Sequence, residues 1–328
     1  MRRVGAVFAG AILLAGTAAA QSLTTEVDVT AGISSEEIGA GGVQARLFGP
    51  VAHDWRVYLE GSWATRSAAL SDAFGAAYPY DRQLRPMEMY TERMFRPRGY
   101  LVGIRAGRYR TPFGIYARSD HGYSGFVRAP LIRYGGNYAL SNTAMETGLN
   151  LLVGTPALSI ETSVGVPFDA GYDPRPATLD AVVRAQAFHG PFIVGASYLN
   201  TRPYEEGDHV HGRTAFGGID ARWMQGGVQL RGEWLFGRSF DGVSTHGGYV
   251  DAIVHRAGMG PVTAVTRLEQ LDYEAGPFST FLRRFTVGGR VRLPGTLSVQ
   301  VNLAHQRPGF SNGRTTAVDV SLTKTARF

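Results

Sequence analysis

From about residue 22 to the last residue, apolar and polar side chains alternate one by one over stretches of roughly ten residues. In the closing stretch Val318, Val320, Leu322 and Ala326 share a face that only Lys324 interrupts, and Asp319, Ser321, Thr323, Thr325 and Arg327 share the other. Just before it, Leu297, Val299, Val301 and Leu303 alternate with Ser298, Gln300 and Asn302. Val228, Leu230, Trp234 and Phe236 oppose Gln229, Arg231 and Glu233, and Trp55, Val57, Leu59 and Trp63 oppose Arg56, Tyr58, Glu60 and Ser62. A period of two puts successive side chains on opposite faces of a strand, so each stretch predicts a strand with one greasy and one wet side.

The pattern gives about sixteen such strands, and their links sort by length. Links after odd-numbered strands run from about five residues to more than thirty, and those after even-numbered strands from about one to five. Packed open sheets do not sort their connections this way; a transmembrane barrel with short turns at one rim and long loops at the other does. The fold class expected is therefore all-β: a transmembrane antiparallel β-barrel of about sixteen strands over residues 21–328. Trp55 and Trp63 are eight residues apart on one face. That is about 26 Å along a strand and about 20 Å of height at the usual tilt, close to the separation of two aromatic girdles.

The N-terminus reads as an export signal over residues 1–20: Arg2 and Arg3, an apolar centre from Val4 to Gly16, then Ala18-Ala19-Ala20. The chain has no cysteine, so stability rests on packing and a closed hydrogen-bond network. The formal net charge of +6 comes almost wholly from arginine, Lys324 being the single lysine. Dispersed arginines in an exported chain do not indicate nucleic-acid binding, and no pattern calls for a cofactor or a metal.

One segment departs from the alternation. Thr111 to Thr143 carries prolines, glycines, Phe113, Phe126, Leu131 and Ile132 without a helical or strand period. It is too long for a turn and too rich in large apolar groups for a solvated tail. It is expected to fold back into the barrel as an ordered loop. Its candidate constriction residues are Arg118, Asp120, Arg128 and Arg133, with Tyr116 and Tyr123; the tyrosines could form a sliding surface for sugars or anchor the loop to the wall.

The run Gly107-Arg108-Tyr109-Arg110-Thr111-Pro112-Phe113-Gly114 resembles the strand-five exit of Gram-negative outer-membrane porins of the phosphate-selective-porin-like and DcaP-like groups. The terminal Phe328 resembles the signal read by the barrel-assembly machinery during biogenesis. The resemblance implies an outer-membrane location, contact with outer-membrane lipid, and a third external loop folded into the lumen. It also implies homotrimers latched through the second external loop, here about Arg66 to Gln83. Phosphate-selective members carry a lysine-rich ladder, which this chain lacks.

With one face on lipid, the polar alternates line a channel. The pore wall would include Arg46, Arg56, Arg105, Glu146, Arg284, Arg290 and Arg292, the last three forming a basic stripe on one strand. Further inward groups would be Arg184, Arg222, Arg231 and Arg267, with Glu26, Asp28, Glu60, Glu161, Asp220, Glu233 and Glu269. Opposed basic and acidic walls would set up a transverse field; alternatively the same groups pair across neighbouring strands and keep the lumen wet. The function expected is passive diffusion of small hydrophilic solutes or ions, weakly favouring anionic or zwitterionic ones. The alternatives are a barrel enzyme of lipase or protease type, for which His121 beside Asp120, His209 and His211 beside Asp208, and His246 near another loop offer the candidates, and a channel for hydrophobic compounds. No catalytic constellation is expected.

Overall fold

The computed structural model describes residues 23–36, 38–52, 54–65, 84–115, 125–133, 139–140, 144–169, 179–201, 205–206, 209–210, 214–239, 242–255, 258, 260–309 and 313–328. The alternating stretches are strands: β1 (Thr24–Ser34), β2 (Ile38–Ala52), β3 (Trp55–Ala64), β4 (Arg85–Phe95), β5 (Leu101–Arg110), β6 (Ala144–Gly154), β7 (Leu158–Asp169) and β8 (Asp180–His189). They continue as β9 (Phe192–Thr201), β10 (Thr214–Gln225), β11 (Val228–Arg238), β12 (Ser244–Val254), β13 (Val262–Ala275), β14 (Phe278–Leu293), β15 (Leu297–Pro308) and β16 (Thr315–Arg327). Each pairs antiparallel with its neighbours in chain order, and β1 pairs with β16, so the sheet closes into a barrel of sixteen strands. The seam runs from Glu26 opposite Arg327 to Ser34 opposite Asp319. Phe328 extends it: its N–H donates to the Thr25 carbonyl at 2.9 Å and its carbonyl accepts from the Thr25 N–H at 3.1 Å. Closure leaves no row of unpaired edge groups, which is what lets a sheet sit in hydrocarbon.

The two faces have opposite chemistry. Leu149 and Leu268 are 63% and 62% exposed on the outside, while Glu146, Asp251 and Asp319 are 0% exposed on the inside. In water such a distribution would forfeit the burial term of about 25 cal/mol per Å² of apolar surface; in a bilayer it is the stable arrangement. Trp55, Trp63 and Trp234 all face outward. No helix among the described residues is long and apolar enough to cross a membrane, which says nothing of strands.

Links at one rim, which we call the turn rim, occupy 53–54, 96–100, 155–157, 190–191, 226–227, 255–261 and 294–296. Those at the loop rim occupy 35–37, 65–84, 111–143, 170–179, 202–213, 239–243, 276–277 and 309–314. The sorting by length is less clean than the sequence suggests. The ladder between β13 and β14 continues through Ala275 opposite Phe278, so their loop-rim link is two residues, with Gly276 at φ 59°. A two-residue hairpin needs a positive φ at its first central residue, and glycine supplies it without strain.

Candidate functional site: the lumen and the segment that crosses it

Between β5 and β6 the chain leaves the wall. The Thr111 N–H donates to the Ala144 carbonyl at 3.1 Å, which ties the two ends of the excursion together. Its described residues, 111–115, 125–133 and 139–140, are all buried. Gly114 donates its N–H to Ser197 Oγ on β9 at 3.0 Å. Farther along, the Val127 N–H donates to Asn302 Oδ1 on β15 at 2.6 Å, and Asn302 Nδ2 donates to the Gly125 carbonyl at 3.1 Å. The Leu131 N–H donates to Glu269 Oε1 on β13 at 2.8 Å. Arg267 Nη1 donates to the Arg128 carbonyl at 3.2 Å, and Arg284 Nη2 to the Ala129 carbonyl. The segment thus rises from one side of the barrel and is hydrogen-bonded to inward side chains of the other.

Two arginines of the segment make its strongest attachments. Arg128 meets Asp319 through Nε at 2.7 Å and Nη2 at 3.0 Å, and Nη2 also reaches Glu36 at 2.6 Å, joining β16 to the end of β1. Arg133 pairs with Glu233 on β11 through both Nε and Nη2, donates to the Phe113 carbonyl at 3.0 Å, and lies 5.1 Å over the Phe113 ring. Both guanidiniums are buried against carboxylates, so they hold the segment to the wall. Arg128 and Arg133, two of the candidate constriction residues, thus face acidic groups of the wall. Arg118, Asp120, Tyr116 and Tyr123 lie outside the described residues, as do Arg66 to Gln83.

An apolar collar receives the segment. Val182, Leu199, Phe216, Leu235, Leu271 and Leu282 point inward from β8 to β14 and cluster with Phe113, Leu131, Ile132 and Leu140. Phe113 fits because Gly218 faces it: a Cβ there would approach the ring to 2.8 Å. These wall residues break the alternation of their strands, standing at inward parity beside Arg184, Ser197, Asp220, Glu233, Glu269 and Arg284. That break was the available signal for the seat, and period-two reading passes over it as noise.

The wall charges are mixed rather than sorted onto opposed faces. Arg46 is within 2.7 Å of Glu26, 2.8 Å of Asp28 and 3.5 Å of Glu60. Arg105 meets Glu92 at 3.2 Å, and Arg110 meets Glu60 at 3.2 Å and Glu88 at 3.3 Å. Arg184 meets Asp220 at 2.9 Å; Asp251, missed from sequence, takes Arg231 at 2.9 Å and Arg267 at 2.6 Å. Glu161 accepts from Asn150 at 3.1 Å, and Glu146 sits among Tyr109, Ser163 and Asp180. Most of these ion pairs join neighbouring strands, while Arg110–Glu60 and Arg184–Asp220 reach across one intervening strand. The basic stripe is interrupted as well: Arg284 pairs with Glu269 at 2.6 Å under the segment, while Arg290 and Arg292 remain toward the turn rim. There a cavity of about 580 Å³ is lined by Arg290, Arg292 and Arg327 together with Asp28, Ser298, Thr323 and Thr325. Arg56 also lies at that end and is exposed, and Arg222 is partly buried on β10.

His246 lies 3.8 Å from Asp272, both on the outer face and neither beside a serine hydroxyl in the described contacts. His121, Asp208 and His211 fall outside the described residues, and the side chain of His209 is not described. Among the described residues no group of three or more potential metal ligands gathers.

No family model matches the chain, and no curated protein matches it. Solved structures do. The chain is similar to the OmpF of Salmonella typhi in complex with daunomycin, with a TM-score of 0.63 at 11% identity over 93% of this chain and 97% of that one. It is similar to the trimer form of the Vibrio cholerae outer-membrane protein OmpT, with a TM-score of 0.61 at 9% identity over 93% and 98%. The anion-selective porin of Comamonas acidovorans gives 0.60 at 12% identity over 93% and 99%. At these identities the likeness is one of fold, and the fold is the closed sixteen-stranded barrel of porins.

Proposed function

We propose that the protein is an outer-membrane porin, a passive diffusion channel for small hydrophilic solutes with a weak preference for anionic or zwitterionic ones. The observation that carries this reading is a segment of the chain fastened across a polar lumen, inside a barrel whose outside is apolar. A barrel that only filled its interior with wall side chains would have no use for such an inserted partition. The preference is attributed to the cavity at the turn rim, where Arg292 and Lys324 stand beside Arg290 and Arg327, the last paired with Glu26 at 2.5 Å; the segment's Arg128 and Arg133 are balanced by wall acids and contribute little. The long-link rim would face outward from the cell and the turn rim the periplasm. Residues 1–20 would be removed on export, and the homotrimer expected from sequence is retained as part of the proposal.

Planar-bilayer recording of the purified chain tests the reading. Stepwise currents should appear, and in a KCl gradient of about tenfold the reversal potential should carry the anion sign at a small fraction of the ideal value. A chain that folds and inserts without conducting would overturn the proposal. A cation sign would overturn the preference and leave the channel standing.

A further inference from the structure

The outward face near the loop rim of β14 and β15 carries a second arrangement of arginines, away from the lumen. Arg283 and Arg307 are register partners, and both are exposed. Their guanidinium carbons lie 4.9 and 5.9 Å from the centre of one ring, Phe281. That ring is set in place over Gly309, where a Cβ would strike it at 2.6 Å. Like charges directly opposite on one face of a ladder repel, and among the described residues neither arginine pairs with a carboxylate. The nearest outward acid, Asp272, accepts from Gln270 at 2.7 Å and lies beside His246.

Their height follows from what stands below them. From Leu293 and Leu297 at the turn rim up to Phe285 and Leu303, the outward positions of these two strands are apolar or glycine, broken by His305 only beside Phe285. Ten residues separate Leu293 from Arg283. At about 3.3 Å per residue and a tilt of about 40° this is about 25 Å of height, the depth of a barrel's apolar band. The arginines therefore stand where hydrocarbon gives way to headgroups.

We propose that Arg283 and Arg307, held over Phe281, form a surface site for the phosphate of an anionic lipid headgroup in the leaflet at the loop rim. This rests on the membrane reading above. Guanidinium is a planar fork that matches phosphate oxygens in pairs, and two forks over one ring are already oriented. The occupant must offer a negative group and an acyl tail in one molecule, since the cations cap a column of greasy side chains. A lipid phosphate does so; a free anion would leave the column unused.

The test is native mass spectrometry of the detergent-purified full chain titrated with dimyristoyl phosphatidic acid, with dimyristoylglycerol, and with inorganic phosphate. The phosphatidic acid should bind about tenfold or more tightly than the diacylglycerol, a difference of about 1.4 kcal/mol. The variant carrying Arg283→Gln and Arg307→Gln should lose that difference. Arg93→Gln should keep it, because Arg93 faces outward at the opposite rim and already has Asp54 at 3.6 Å. Equal binding of the two lipids to the native chain, which needs no variant, would overturn the site. So would unchanged binding in the double variant, inorganic phosphate binding as tightly as the lipid, or a change in subunit number showing that the face joins two copies. None of these readings depends on conduction, so a failed channel and a failed lipid site are told apart.

Discussion

Gly114 shows how closely the crossing segment is fitted to the wall. Its φ is 59°, and a Cβ added there would fall on Glu233 Oε1 and Arg133 Nη2. Gly114→Ala therefore meets a left-handed backbone penalty of about 1–2 kcal/mol and displaces a buried ion pair whose disruption costs about 3–5 kcal/mol. The expected outcome is a folded barrel with noisy, larger unitary currents, because the penalty falls on the segment and leaves the strand ladder intact. Quiet currents of native size would contradict it. Neutralising Arg292 with glutamine should move the reversal potential toward zero or to the cation sign with little change in noise, since Arg292 stands at the turn-rim end of β14, away from the segment. At this scale the sequence was only partly legible. Alternation placed Arg46, Glu60, Glu233 and Glu269 inward, where they are buried. It could not say that Arg128 would find Asp319, 191 residues away, because that pairing depends on where the segment crosses.

The segment from Thr111 to Thr143 was recognisable as an element by what it lacks, a period. Its burial requirement pointed to the barrel interior, and the described residues are buried there. What could not be read was the partner surface. Leu235 and Leu271 look like slips in an otherwise polar face, yet they belong to the collar on which Phe113, Leu131 and Ile132 rest. Leu235→Asn and Leu271→Asn together should therefore loosen the segment without opening the barrel. Each removes a fully buried apolar side chain worth about 1.5–3 kcal/mol and leaves an amide without partners. Liposome swelling should then admit larger sugars than the native protein does. An unchanged size cut-off would mean that the hydrogen bonds to Ser197, Glu269 and Asn302 suffice to seat the segment.

For the whole molecule, the architecture was the most legible feature, because sixteen alternating strands must each satisfy the same two solvents. Strand bounds shifted by a few residues, and the β13–β14 link proved shorter than expected because a continuous ladder needs no loop. The C-terminal residue extends the seam with two backbone bonds to Thr25. Deleting Phe328 should lower the yield of the compact, heat-modifiable form on gels by several fold while leaving its conductance unchanged once folded, as expected for a seam residue remote from the lumen. The central claim is that the barrel conducts and that the clamped segment sets the width of the path. Unitary conductance and reversal potential of the native chain, beside the variant with Arg128→Gln and Arg133→Gln, test it most directly. Removing both clamps frees the segment and leaves Asp319, Glu36 and Glu233 without their cations. The account predicts a rise in conductance of roughly 1.5- to 2-fold and a shift toward cations. Native conductance and native reversal potential in the double variant would contradict it.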